Sequence, residues 1–256
     1  VRCGYCGAAL YTASAAQVVV PALADAQNIL AKMHQRLESN PYDGNAYYQL
    51  GLACFTLQIF DQAENAFRQA DRYLPGNALV HYFTGLTILR RNENAILSIR
   101  EFDLIQISQE FKTALKLDPN LLQAKPYLQF MEALIARNHN DYAGTIRLLE
   151  SVAKNLPSPY SAYKVLAACA FQNGDYRRTI DAANRSWELC PHDLDVAFLV
   201  GAAYARLDEP EMMESWVARA ALRGKPTSGP KWLMNIEVNS IENSNHRRTW
   251  SARANW

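Results

Sequence analysis

The residues best spaced for chemistry stand at the start of the chain. Cys3 and Cys6 form a C-x-x-C pair within Val1-Arg2-Cys3-Gly4-Tyr5-Cys6-Gly7. Two thiolates at that spacing can grip one side of a tetrahedral metal. The glycine after the second lets the backbone turn tightly, so that its amides point at sulfur. A structural zinc site takes four ligands, and the sequence offers neither a second C-x-x-C nor a C-x-x-H. Three readings fit: the other half of the site lies upstream of Val1, two chains share one zinc, or the pair is unmetallated or redox-active at a loose terminus. No cofactor is certain; zinc is expected only if the missing ligands come from upstream or from a second chain. Cys54, Cys169 and Cys190 read as small buried hydrophobes.

The other chemistry-bearing side chains are dispersed. Of the five histidines, His34 falls on a helix-like stretch, His81 at the edge of an apolar one, His139 and His192 in turns, and His246 in the tail. No H-E-x-x-H, G-x-S-x-G, G-x-x-x-x-G-K-[ST] or G-x-G-x-x-G occurs. The acidic residues read as outward helix positions (Asp61, Glu64, Asp181) or as turn and cap residues (Asp118, Asp141, Asp175). Nothing supplies a nucleophile with a base, so the chain is expected not to be an enzyme.

The elements that must position these residues follow one spacing. Counting from Gly44, Tyr47, Leu50-Gly51, Phe60, Ala63, Phe67, Ala70 and Pro75 fall at positions 4, 7, 8, 17, 20, 24, 27 and 32. Large residues at 4 and 24 with small ones at 8, 20 and 27 describe two closely packed antiparallel helices. The proline stops the second. Later parts of the chain keep the register with Gly85, Phe111, Ala114 and Pro119; Tyr142, Leu149 and Pro157; Tyr163, Ala167, Gly174, Tyr176 and Pro191; and Gly201, Tyr204 and Ala220. The stretch from Asn92 to Arg100 is inserted, and Ile96, Ile99, Leu104, Ile107 and Phe111 read as one unusually long second helix. No strand run long enough for a sheet is expected.

This period and pattern resemble the tetratricopeptide repeat, helix-turn-helix over about 34 residues. The resemblance implies an all-α, right-handed α-solenoid of antiparallel helix pairs, with about five units near 44–77, 78–120, 121–159, 160–193 and 194–225. Residues 15–43 would hold a capping helix and linker, and 226–256 a C-terminal segment and tail. Residues 1–14 are similar to one knuckle of a zinc ribbon.

Composition sets the remaining bounds. About half the residues (49%) are apolar and the formal net charge is +1, so bulk charge makes no case for nucleic acid or an acidic membrane. No apolar run approaches membrane length and no signal peptide is seen at the N-terminus. A cytoplasmic protein is expected.

In tetratricopeptide arrays the first helix of each unit lines the concave face. Carrying its positions 2, 5, 9, 12 and 13 over implies a groove from which the partner-binding set is taken as Tyr48, Leu52, Phe55, Tyr82, Leu86, Arg90, Tyr127, Phe130, Arg137, Lys164, Phe171, Phe198 and Arg206. Aromatics with arginine are typical interface anchors. The expectation is a non-catalytic scaffold binding a protein, as a peptide or helix, in an aromatic groove. Some of these rings could instead pack against the neighbouring unit. The carboxylate-clamping mode of co-chaperone repeats needs Lys or Arg at position 5 and Asn at 9. Tyr48, Leu52, Tyr82 and Leu86 stand there, which argues against it. The alternative is an accessory subunit whose zinc ribbon, completed upstream, contacts nucleic acid or the transcription or translation machinery while the repeats recruit a partner.

Overall fold

The computed structural model describes residues 20–221, 237–242 and 248–253; Cys3, Cys6 and His246 lie outside them. Eleven helices occupy the described residues: α1 (Leu23–Ser39), α2 (Gly44–Thr56), α3 (Phe60–Tyr73), α4 (Ala78–Arg91), α5 (Glu101–Leu117), α6 (Ala124–Asn138), α7 (Tyr142–Val152), α8 (Tyr160–Gln172), α9 (Tyr176–Leu189), α10 (Leu194–Arg206) and α11 (Pro210–Ala221). The fold is all-α, built from antiparallel helix pairs of the tetratricopeptide type.

Local chemistry explains where the helices start and turn. Asp43, Asn77, Asp141, Asp175 and Asp193 each accept a hydrogen bond from a backbone N–H of the following first turn. Each thereby satisfies a donor the helix cannot pair itself. The turns inside the pairs α2–α3, α6–α7, α8–α9 and α10–α11 carry a left-handed residue: Gln58 (φ 62°), Asn140 (φ 61°), Gly174 (φ 78°) and Asp208 (φ 57°). Counted in the 34-residue register these are the same position. Pro210 opens α11, where its missing N–H costs nothing.

The chain divides into two compact units. The first holds α1 to α5 and the first part of α6, with each of α1 to α4 packed on the helix that follows. Its tightest point is Gly51, where a Cβ would come 2.5 Å from the Phe67 ring. Phe67 is fully buried and stacks on Phe83, with centroids 5.8 Å apart. In the next pair Gly85 faces Phe111, with 3.1 Å available to a Cβ, and Phe111 stacks on Tyr127 at 5.4 Å.

Three expectations need correction. The insertion after α4 does not prolong the second helix. It forms a separate 3₁₀ segment, Glu93–Ser98, and α5 begins afresh at Glu101 after an extended Arg100 (φ −71°, ψ 146°). Glu64 is not a solvated residue: it is buried between Arg68 and Arg91, 2.5 Å from each. Its partners come from its own helix and from α4, which periodicity within α3 cannot reveal. Lastly, a two-stranded antiparallel sheet is present. β1 (Glu237–Glu242) pairs with β2 (Arg248–Arg253) in a register that sets Ser240 opposite Trp250. Strands this short give too little alternation to be read, and a lone pair is marginal without support; here β2 lies against α10.

The second unit comprises residues 94–99, the rest of α6, α7 to α11 and the strand pair. Thr145, standing where an alanine is usual, donates its hydroxyl hydrogen bond to the Asp141 carbonyl at 2.6 Å and lies 3.3 Å from that of Ala133. Trp187 and Trp216 meet edge to face at 5.1 Å. Cys54, Cys169 and Cys190 are buried, as expected. Burial pushes the Cys54 thiol up.

Two outcomes follow. Gly51→Leu should destabilise the protein by roughly 1–3 kcal/mol or more, because the buried Phe67 ring has nowhere to retreat. Gly85→Leu should cost less, and thermal melts of both variants check the order. The second concerns His81, which lies 2.9 Å from Glu110 and 3.3 Å from Asp71. The hydrogen bond to Glu110 raises its pKa, with the charge of Asp71 adding to it against a smaller opposing effect of burial. A raised folded-state pKa gives stability that is fully present below the unfolded value of about 6.5 and lost as pH rises through the folded one. Melting temperature should therefore decline as pH rises above the unfolded value, and His81→Gln should flatten that decline.

Candidate functional site

The candidate site is built on the first helices of the pairs. On α2, Leu52 and Phe55 are buried at 2% exposure and Tyr48 is half-buried. Tyr48 leans on Phe67 and Phe83 at 6.2 and 6.3 Å, and burial pushes its phenol up to about 12. On α4, Tyr82, Leu86 and Arg90 are buried; on α6, Tyr127 and Phe130 are buried. Tyr82 meets Phe83, Phe111 and Tyr127 at 5.3 to 6.2 Å. Arg90 holds both carboxylate oxygens of Glu93, each at 2.8 Å. In the second unit Phe171 is buried against Tyr176, Phe198 is half-buried and Arg206 is exposed.

Lys164 departs most from its expected place in the partner-binding set. It is fully buried. Its Nζ lies 2.9 Å from Asp193 and 2.7 Å from Asp195, both contributed by the start of α10. Tyr160 donates its hydroxyl to Asp193, whose other oxygen accepts from the Asp195 backbone N–H at 2.9 Å. Burial opposes the ammonium charge, but the two carboxylates outweigh it and push the Lys164 pKa up. The enclosure arises because the start of α10, the first helix of the next pair, brings its carboxylates over the lysine. The register could have hinted at this, since Asp195 stands at position 2 of the unit after Lys164.

Arg137 is set differently. It lines a cleft of about 230 Å³ with Leu97, Asn138, Asn140, Tyr142, Ala168, Cys169 and Gln172. One Nη donates to the Ile96 carbonyl at 3.0 Å and the other to Asn138 Oδ1 at 2.8 Å. Burial lowers the Arg137 pKa and pushes the Cys169 thiol up to about 12, against the pull of the nearby guanidinium. Of this wall, Arg137, Asn138, Ala168 and Gln172 stand at groove positions of the repeat register, with Arg137 in the expected partner-binding set. Asn140 reads as a turn and Tyr142 as packing, and nothing in their spacing signals a shared cleft with Gln172.

A second cleft in the same unit, of about 540 Å³, is lined by Glu150, Tyr163, Asp175, Arg178 and Arg185 among others. Its charges are matched: Arg178 lies 3.6 Å from Glu150 and 3.5 Å from Asp175, and Arg185 stands over the Tyr163 ring. Among the described residues no group of three or more His, Cys, Asp or Glu side chains could hold a metal. No helix among them is long and apolar enough to cross a membrane.

Neither a protein-family model nor a curated protein sequence matches the chain. Among solved structures it is similar to PilW, a widely conserved type IV pilus biogenesis factor, with a TM-score of 0.54 and 16% identity over 78% of this chain and 86% of that one. It is also similar to a chain of the APC/C hetero-tetramer Cut9–Hcn1, with a TM-score of 0.55 and 15% identity over 78% of this chain and 37% of that one. At these identities the likeness bears on the fold alone.

The buried lysine generates a direct expectation. Lys164→Met removes the cation shared by two buried carboxylates and should cost about 3–5 kcal/mol in urea unfolding, the usual result of breaking a buried pair from one side. Adding Asp195→Asn to that variant should recover part of the loss. A loss under about 1 kcal/mol would show that the carboxylates reach water.

Proposed function

We propose that this protein is a non-catalytic interaction scaffold that receives a peptide or helix from a protein partner along the first helices of its pairs. The observation that carries the reading is how the reactive side chains are engaged. Lys164 is enclosed by Asp193 and Asp195, His81 sits between Asp71 and Glu110, and Arg90 is held by Glu93. These groups tie helices and turns together. Lys164 in particular is fully buried and has no route to a substrate.

The partner would meet the members of the set that reach solvent: Tyr48 in the first unit, and Arg137, Phe198 and Arg206 in the second. Leu52, Phe55, Tyr82, Leu86, Tyr127, Phe130 and Phe171 would form the apolar ground beneath them and hold their backbones in place. A ring anchored at its base and open at its edge gives contact area at little entropic cost, as interface hot spots do. The type IV pilus factor and the Cut9–Hcn1 assembly, whose fold this chain shares, are consistent with a part in protein assemblies.

The test starts from a partner recovered with the full chain. Phe198→Ala and Tyr48→Ala should each weaken its retention by about tenfold to thirtyfold while the helical circular dichroism persists, since losing an interface anchor commonly costs about 2 kcal/mol. Arg206→Ala should change mainly the salt dependence. Phe130→Ala and Phe171→Ala should instead destabilise the fold by about 3–5 kcal/mol, because both rings are buried. Full retention by both Phe198→Ala and Tyr48→Ala would overturn the proposed surface.

A further inference from the structure

The guanidinium of Arg137 differs from the other arginines enclosed in the structure. Arg90, buried, is bonded to Glu93, and even the exposed Arg91 is bonded to Glu64. Arg137 has no carboxylate within ion-pair distance among the described residues; the two groups that accept from it there are neutral, the Ile96 carbonyl and the Asn138 amide oxygen. A half-buried cation satisfied only by neutral oxygens keeps most of its desolvation cost, and an anion brought to it would recover that cost.

The rest of the cleft points the same way. Asn138 Oδ1 is taken by Arg137, and Asn140 Oδ1 accepts from the Tyr142 hydroxyl at 2.9 Å. Each of these oxygens already accepts one bond, and the amide NH2 groups of both residues can donate, as can that of Gln172 across the cleft. Cys169, which could have supplied a thiolate, is kept neutral at physiological pH by burial. The cation is also held in place. The Ile96 carbonyl comes from the 3₁₀ segment inserted after α4, and it fixes one arm of the guanidinium fork before any ligand arrives. A preset planar fork beside amide donors matches the two oxygens of a carboxylate.

We infer that the Arg137 cleft is a carboxylate-binding subsite, which takes an acidic group of the partner's peptide as the scaffold's polar anchor. This rests on the scaffold reading for its ligand, but its geometry stands on Arg137, Asn138, Asn140 and Gln172 alone. The acid could come from an Asp or Glu side chain or from the end of a chain; the chemistry is shared.

The test uses the full chain labelled with ¹⁵N at arginine, with the Arg137 Nε resonance assigned by its loss in Arg137→Lys. Three probes are titrated: N-acetyl-glutamate amide for the side-chain acid, N-acetyl-alanine for the terminal acid, and N-acetyl-glutamine amide as the neutral control. A saturable shift of the Arg137 resonance is expected with at least one acid, at about tenfold lower concentration than the control needs, the difference made by one charge-assisted hydrogen-bonded contact. Whichever acid acts at the lower concentration identifies the source. Gln172→Ala should weaken that titration several-fold, and the Arg206 resonance should stay put. If both acids shift Arg137 no more than the glutamine control does, the subsite is overturned. That result would leave the Tyr48 and Phe198 tests of the scaffold untouched, and loss of those would leave the titration untouched.

Discussion

Everything in this molecule depends on how closely the two helices of a pair can approach. At Gly51 the approach is set by a missing side chain: the Phe67 ring occupies the space a Cβ would need. Phe67 in turn stacks on Phe83, which meets Phe55 at 5.8 Å and Tyr48 at 6.3 Å. One absent methyl group therefore fixes the depth of an aromatic cluster spanning three helices. Gly85 and Phe111 repeat the device with a looser fit, and Ala133 with Thr145 repeats it with a hydroxyl bond in place of a ring. Such contacts tolerate change badly, because interiors are packed nearly as densely as crystals.

Once the pairs are set, polar side chains tie one pair to the next, and they do so at low dielectric. Glu64 joins α3 to α4 through Arg91, His81 joins α4 to α3 and α5, and Lys164 joins α8 to α10. Each is a residue that would pass for surface decoration or for a reactive group when read in isolation. Buried pairs of this kind contribute modestly to net stability but punish the loss of one partner, so they fix registry more than they add strength. Arg137 stands outside this scheme, since its contacts are a backbone carbonyl and an amide.

The insertion between α4 and α5 illustrates how an added segment gains a role. Its apolar residues Ile96, Leu97 and Ile99 are buried, so the segment is anchored. Its carbonyl at Ile96 is then available at a fixed position for Arg137. A continuous helix, as the spacing of Ile96, Ile99 and Leu104 suggested, would have placed that carbonyl in an internal helix bond. The 3₁₀ geometry and the break at Arg100 leave it for the guanidinium instead.

The sequence by itself determined the helix pairs, their caps and the small-against-large contacts. All of these are local: Gly51 and Phe67 sit within one period, and Asp141 or Asp175 caps the helix that follows it directly. It also placed Cys54, Cys169 and Cys190 inside. Only the tertiary structure decided which side chains of the first helices reach water. Lys164 and Asp195 are 31 residues apart, and Arg137 and Ile96 are 41 apart. Position in a repeat says which way a side chain leaves its own helix. Whether water or a neighbour's carboxylate lies in that direction depends on the next pair, and no single period contains that information.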